Sequence, residues 1–288
     1  MNPSKSILLL GFLIAQITSV FAREVDTLEF NSKILGQKLK VCILKPIQTK
    51  KETTSVVYLL HGAWGNYAQW LNAGQLQQIL SGEMKDSLLK STFIVMPEAF
   101  MSYYMNSQND SFRYENFFFE ELMPWVESRY NCGQDKNKRI ISGLSMGGHG
   151  AMLYALKHPE LFQSVYAFSP ALRTPKEMEN LPAEDYRLRY GNKFAFNPKG
   201  RINDHYFSND VIQLSRKASL EALKSVNWLV DIGDNDYLIQ GNLLWMLEMK
   251  ERGVPMELRI RQGVHNWPYW QDCLRLYLKE MDKEFNQL

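Results

Sequence analysis

The sequence predicts an α/β protein, with a mostly parallel sheet covered by helices on both faces. Three observations carry that reading. Short runs rich in Val, Ile, Leu and Phe recur at 54–60, 92–96, 139–142, 164–168, 228–232 and 256–260; strands buried on both faces need such near-continuous apolar runs. Segments of helical spacing lie between most of them, as crossovers between parallel strands require. Several runs end in turn-forming residues, at His61-Gly62, Pro97, Gly143 and Gly233. Residues beyond the carboxyl ends of strands in an open sheet of this kind meet in one crevice.

In order, residues 27–47 suggest a hairpin with a polar bend at Asn31-Ser32 and a stop at Pro46. The strand 54–60 runs into His61-Gly62, and 71–79 has helical spacing. The strand 92–96 stops at Pro97, and 116–130 reads as an amphipathic helix despite Pro124. The strand 139–142 leads into a glycine-rich turn around Ser145, after which 151–156 continues as helix. The strand 164–168 follows. From 169 to 210 the pattern dissolves into Pro, Gly, Asn and charged residues, an irregular excursion expected to cover one side of the crevice. Order resumes with a helix at 211–223, a strand at 228–232, a helix at 239–252, a strand at 256–260 and a final helix at 269–285.

With 288 residues the chain is long enough for one full core. Composition is ordinary for a globular protein, with 45% hydrophobic and 22% charged residues and a net charge of +2. Charges are interspersed, which argues against nucleic acid as a partner. The first 22 residues read as a signal peptide: Lys5, an apolar core at 7–17, and Val20-Phe21-Ala22 before Arg23. That core is short for a membrane span. The expectation is a secreted or periplasmic chain, without stable membrane insertion, whose residues 23–288 form a single domain. Three cysteines, Cys42, Cys132 and Cys273, leave room for one disulfide that spacing does not choose and show no metal-binding pattern. The sequence is silent on oligomeric state.

The chemistry starts at Gly143-Leu144-Ser145-Met146-Gly147, a G-x-S-x-G elbow between a strand and a helix. A serine on so sharp a turn forces the residues two before and two after it into near contact, which glycine permits. Its hydroxyl needs a base and a partner that fixes the base's tautomer. Of five histidines, His265 directly follows the last strand, and the order serine, acid, histidine is satisfied. The acid belongs after the strand 228–232, where Asp231, Asp234 and Asp236 are available. Asp231 is still in the strand, with a local bonding role. Spacing favours Asp236, beyond the turn, only modestly over Asp234, which could simply close it. Oxyanion donors are expected from the Met146 amide and from the loop His61-Gly62-Ala63-Trp64, where the Ala63 N–H is the choice. His61 itself reads as a structural residue of that loop. Trp64, Tyr103, Tyr104, Trp267 and Trp270 are candidate substrate-binding residues near the crevice.

With these residues in view, the chain resembles the esterase D and antigen 85 group of α/β-hydrolases. It is most similar to bacterial feruloyl and acetyl xylan esterases and small tributyrin esterases. The resemblance rests on Leu59-Leu60-His61-Gly62, Trp70, Gly143 to Gly147, Gly233-Asp234-Asn235-Asp236 and His265-Asn266-Trp267. It implies the α/β-hydrolase fold, Asp236 as the acid, His265 as the base and Ala63 as an oxyanion donor. It also implies a serine carboxylesterase without cofactor or metal, acting on short-chain or aromatic acyl esters, including carbohydrate-linked ones. Acyl transfer by the same residues is the alternative within enzymes, and a hydrolase-like binding protein without catalysis the alternative outside them.

Overall fold

The apolar runs assemble into one eight-stranded sheet among the described residues. The computed structural model describes residues 23–47, 54–83, 91–191 and 200–286. The strands are β1 (Val25–Ser32), β2 (Gln37–Leu44), β3 (Ser55–Leu60), β4 (Thr92–Pro97), β5 (Arg139–Leu144), β6 (Ser164–Phe168), β7 (Asn227–Gly233) and β8 (Glu257–Arg261). Their order is β1-β2-β4-β3-β5-β6-β7-β8. Strands β3 to β8 are mutually parallel, while β2 is antiparallel to both β1 and β4. This is the mostly parallel, helix-covered sheet of the α/β-hydrolase fold.

Burial is nearly continuous along the central strands because both faces are covered, and successive residues enter opposite layers. In β3, Val56, Tyr58 and Leu60 enter one core layer and Val57 and Leu59 the other. The first layer lies under α5 (Met146–Lys157) and the helix ending at Tyr130; the second lies under α1 (Gln69–Asn72), α2 (Leu76–Glu83) and α12 (Trp267–Asn286).

Several boundaries differ from those the sequence predicts. The first bend falls at 33–36, after β1 has continued through Ser32, rather than at Asn31-Ser32. The helix expected at 71–79 is two helices, α1 and α2, parted at Gly74, where a Cβ would stand 2.4 Å from the Trp70 carbonyl oxygen. The segment 116–130 begins as α3 (Tyr114–Asn116), widens into a π-helical turn (Phe117–Leu122) and ends as α4 (Met123–Tyr130). The wider turn delivers Pro124 to the start of α4, where its missing N–H costs least. The helix expected at 211–223 divides into α9 (Val211–Lys217) and α10 (Leu220–Lys224), because Ser219 turns out to cap the second.

The excursion at 169–210 is not irregular throughout. It contains α6 (Pro175–Asn180), α7 (Ala183–Arg189) and α8 (Asp204–Asn209). Thr174 and Glu177 form a reciprocal capping box on α6, and Asn203 caps α8. Helix α11 (Ile239–Glu251) completes the set. The three cysteines are buried free thiols. The expected signal peptide lies outside the described residues, and no helix among those described is long and apolar enough to cross a membrane.

Candidate active site

Ser145 occupies the point where β5 passes into α5, with φ 53° and ψ −115°. The glycines around it are required by contact. A Cβ on Gly147 would lie 2.4 Å from the Leu60 carbonyl oxygen, and one on Gly143 would lie 2.5 Å from the Gly147 carbonyl carbon. Neither neighbour is a side-chain tip that could swing away. The serine backbone is held further by Ser145 N–H to Phe168 O (2.9 Å) and Ala171 N–H to Ser145 O (2.9 Å).

His265 follows β8 on the loop into α12 and reaches the serine across 120 residues of sequence: its Nε2 lies 2.9 Å from Ser145 Oγ. Its Nδ1 lies 2.8 Å from Asp236 Oδ2. Asp236 is buried, and its other oxygen accepts the Leu238 N–H at 2.9 Å. A buried carboxylate beside Nδ1 keeps the proton on that nitrogen, so Nε2 is free to accept from the serine hydroxyl.

The three aspartates of the β7 turn have separate surroundings. Asp231 is fully buried and accepts from the Arg261 guanidinium (2.9 Å), Tyr277 Oη (2.8 Å) and Tyr269 Oη. Asp234 Oδ1 accepts the Gly263 N–H at 3.0 Å, tying the β7 loop to the β8 loop. That bond, with smaller contributions from Asn235, holds its carboxyl below the usual carboxylate range. Asp236 is the one hydrogen-bonded to His265. Gly233 lets the two loops touch, since a Cβ there would meet Gly263 O at 2.4 Å.

The Ala63 loop lies against the elbow, where a Cβ on Gly62 would stand 3.6 Å from Ser145 Cβ, and Met146 directly follows the serine. Met146 is the first residue of α5, so its N–H has no acceptor one turn earlier. The Ala63 loop is set by His61. Its Nε2 accepts the Ala99 N–H at 2.9 Å, so Nδ1 carries the proton and donates to Gly62 O at 2.8 Å. The Gly62 carbonyl and the Ala63 N–H belong to one trans peptide unit. Fixing the first therefore aims the second the opposite way.

The aromatic candidates divide. Trp64 is 62% exposed at the tip of the His61 loop, with φ 63°. Trp270 is buried and meets the His265 ring edge-on at 4.8 Å, and Trp267 packs on Trp270 and Trp70. Trp270 walls the histidine and Trp267 backs Trp270. Tyr103 and Tyr104 are not in the crevice surface. Tyr104 is fully buried, its hydroxyl donating to His61 O at 2.9 Å and its ring filling the space beside Gly150. Tyr103 is likewise buried, stacked against Tyr190 at 4.7 Å and edge-on to His149. Their place after a strand end suggested exposure, but the loop folds back over α5.

The chain matches the Esterase family over residues 32–281. It belongs to that family. This esterase is 25% identical to the acetyl esterase of Caldicellulosiruptor saccharolyticus over 267 residues, 89% of this chain and 97% of the other. A solved ferulic acid esterase is 31% identical with a TM-score of 0.77, covering 92% of this chain and 99% of its own. An S-formylglutathione hydrolase of Staphylococcus aureus, 19% identical with a TM-score of 0.72, shares the fold over 90% of this chain and 98% of its own. The protein is a carboxylic ester hydrolase.

Two residues beside the esterase site are absent from the sequence reading. Tyr237, 51% exposed, lies with its ring 4.7 Å from that of His265. Its position directly after Asp236 was the available signal. The Arg173 guanidinium lies 5.5 Å from the Tyr237 ring. Nothing local in the sequence distinguishes it from other surface arginines. Among the described residues no cluster of three or more His, Cys, Asp or Glu side chains could hold a metal ion.

Proposed function

We propose that this esterase is an exported serine carboxylesterase that cleaves short-chain or aromatic acyl groups from carbohydrate-like alcohols. The observation that carries the mechanism is the continuous hydrogen-bonded line Ser145–His265–Asp236. Ser145 Oγ attacks the ester carbonyl as His265 Nε2 takes its proton. The oxygen charge that develops is received by the N–H groups of Ala63 and Met146. Collapse of this intermediate breaks the bond to the alcohol, which leaves with the proton from His265. Water then gives a proton to His265 and attacks the acyl-serine carbonyl; collapse breaks the bond to Ser145 Oγ, which takes that proton back from His265 as the acid is released. Asp236 holds the imidazole in the required tautomer throughout. Fixed donors aimed at the oxyanion are worth about 3 kcal/mol each in serine proteases.

The substrate reading is supported by the acetyl esterase and ferulic acid esterase relatives, and by two exposed rings, Tyr237 against His265 and Trp64 on the His61 loop, able to stack on a phenolic acyl group or a sugar face. The excursion contributes short helices of six or seven residues among those described, rather than a long apolar lid.

A fluorophosphonate probe should label the protein, and Ser145→Ala should abolish both labelling and hydrolysis of p-nitrophenyl acetate while leaving the fold intact. Full activity in the folded variant would overturn the mechanism. Across p-nitrophenyl esters, methyl ferulate, acetylated xylan and triolein, turnover should favour the soluble short-chain and aromatic esters. Preference for triolein would overturn the substrate class. Finding the mature chain starting near Arg23 in the exported fraction would support the export reading; finding the full chain in the cytosol would sink it.

A further inference from the structure

Arg173 stands at the edge of the site without a carboxylate partner among the described residues. It follows β6 on the loop that bonds the nucleophile, two residues beyond the Ala171 N–H that donates to Ser145 O. Its guanidinium lies beside the Tyr190 hydroxyl and over the Tyr237 ring, while its Nε is buried with no hydrogen-bond partner. Arginine stays charged at any working pH, and partly burying that charge against neutral rings is unfavourable unless something compensates.

The loop carrying it is fixed rather than loose. The Asn242 side chain donates to Pro170 O at 3.1 Å, and Gly241 lies so close that a Cβ would meet Leu172 O at 2.1 Å. Beside it opens a groove of about 350 Å³, whose polar lining includes Arg173, Thr174, Lys176, Glu177, Asn180 and Gln240. That volume falls in the range of small-ligand sites, roughly 300–1,000 Å³. The only carboxylate in the lining, Glu177, is engaged by the Thr174 N–H of the capping box. The groove thus offers two cations and several amide and hydroxyl partners for sugar hydroxyls, and Arg173 links it to the site, since its guanidinium lies over the Tyr237 ring that in turn faces His265.

We propose that this groove is a subsite for a uronate sugar in the alcohol part of the ester, its carboxylate bound by the Arg173 fork. The inference rests on the carbohydrate-ester reading above and adds the charge of the sugar. A planar guanidinium matches a carboxylate with two parallel hydrogen bonds, and Lys176 adds a second positive charge at the rim.

The test uses a matched pair, O-acetylated methyl glucuronoside and O-acetylated methyl glucoside. Wild type should favour the uronate by about tenfold to a hundredfold in kcat/KM, the range expected of hydrogen bonds to a charged group. The preference should lie mainly in KM and shrink as salt rises. Arg173→Gln should bring the ratio of the two close to one, with Arg173→Lys in between. A second measurement needs no variant: free methyl glucuronoside should inhibit p-nitrophenyl acetate hydrolysis competitively, where methyl glucoside and glucose 6-phosphate do not. Equal kcat/KM for the pair in wild type, an unchanged ratio in Arg173→Gln, or competition by the phosphate alone would overturn the assignment. The p-nitrophenyl acetate rate separates the two readings. Normal turnover without charge preference sinks the subsite only, whereas turnover that survives Ser145→Ala sinks the mechanism beneath it.

Discussion

At the residue scale, the protein separates groups that look alike in sequence by what each one touches. Asp234 and Asp236 are two positions apart in one turn, and spacing alone leaves them nearly equal. Asp234 Oδ1 is committed to the Gly263 N–H, while Asp236 Oδ2 meets His265. Asp236→Asn should therefore lower kcat/KM by about 10⁴, by analogy with the protease precedent. Asp234→Asn should cost far less, and a reversed ranking would move the orienting role to Asp234. His61 makes a related point about position. It holds the Gly62 carbonyl, and so the plane of the peptide whose N–H belongs to Ala63. His61→Asn keeps a donor near the Nδ1 position and His61→Gln does not, so the asparagine variant should retain more kcat, with KM similar in both. The gap should stay within the 10² to 10³ that losing one oxyanion donor costs. Equal losses in both would reduce His61 to a packing residue. Motif and chain order single out positions 145 and 265, while the choice of 236 over 234 comes from the family resemblance. Arg173 and Tyr237 were not legible, because their significance comes from neighbours that only the folded loops supply.

At the element scale, the legible parts are those whose burial is two-sided. Strands β3 to β7 lie within one or two residues of the apolar runs, since a strand covered on both faces leaves a continuous signature, and edge strand β8 is as close although it is only half buried. Helices of six or seven residues leave almost none. α6, α7 and α8 fall below two full turns and are set by their ends, as with Thr174-Pro175 and Glu177 on α6. The same logic explains why Tyr103 and Tyr104 were misplaced: a loop that folds back inward has no period to read. The start of α5 packs tightly on the end of β3. Gly147→Ala would drive a methyl into the Leu60 and His61 backbone, both carbonyl oxygens lying within 2.7 Å of the new atom. Such overpacking typically costs 1–3 kcal/mol and here meets immovable atoms, so a loss of about 3 kcal/mol or more is expected. Urea unfolding of the variant, or its failure to accumulate as soluble protein, checks this; wild-type stability would refute it.

At the scale of the whole molecule, one buried imidazole links stability to pH. His149 sits in α5 with Nε2 3.1 Å from Asn209 O, between the nucleophile helix and the excursion. Burial, the dominant influence, pushes its pKa down from 6.5 to about 4, against the opposing pull of the Asn209 carbonyl. Between those values the unfolded chain binds the extra proton and the folded chain does not. Its contribution is therefore intact above about pH 6.5 and lost as pH falls toward 4, amounting to about 3 kcal/mol. Comparing the unfolding free energy at pH 7 and pH 4.5 tests this: the difference should be smaller in His149→Gln than in wild type. An equal pH dependence in both would assign the acid sensitivity to carboxylates instead. A different consequence follows from where β8 lies. Among the described residues it is the last strand in sequence order and stands at one edge of the sheet, and His265 follows its far end. The serine elbow therefore leaves the ribosome well before its proposed base. Until the final strand has docked on β7, the elbow holds an unactivated alcohol. In the proposed mechanism, a nascent molecule whose residue 265 has not yet docked is chemically mute.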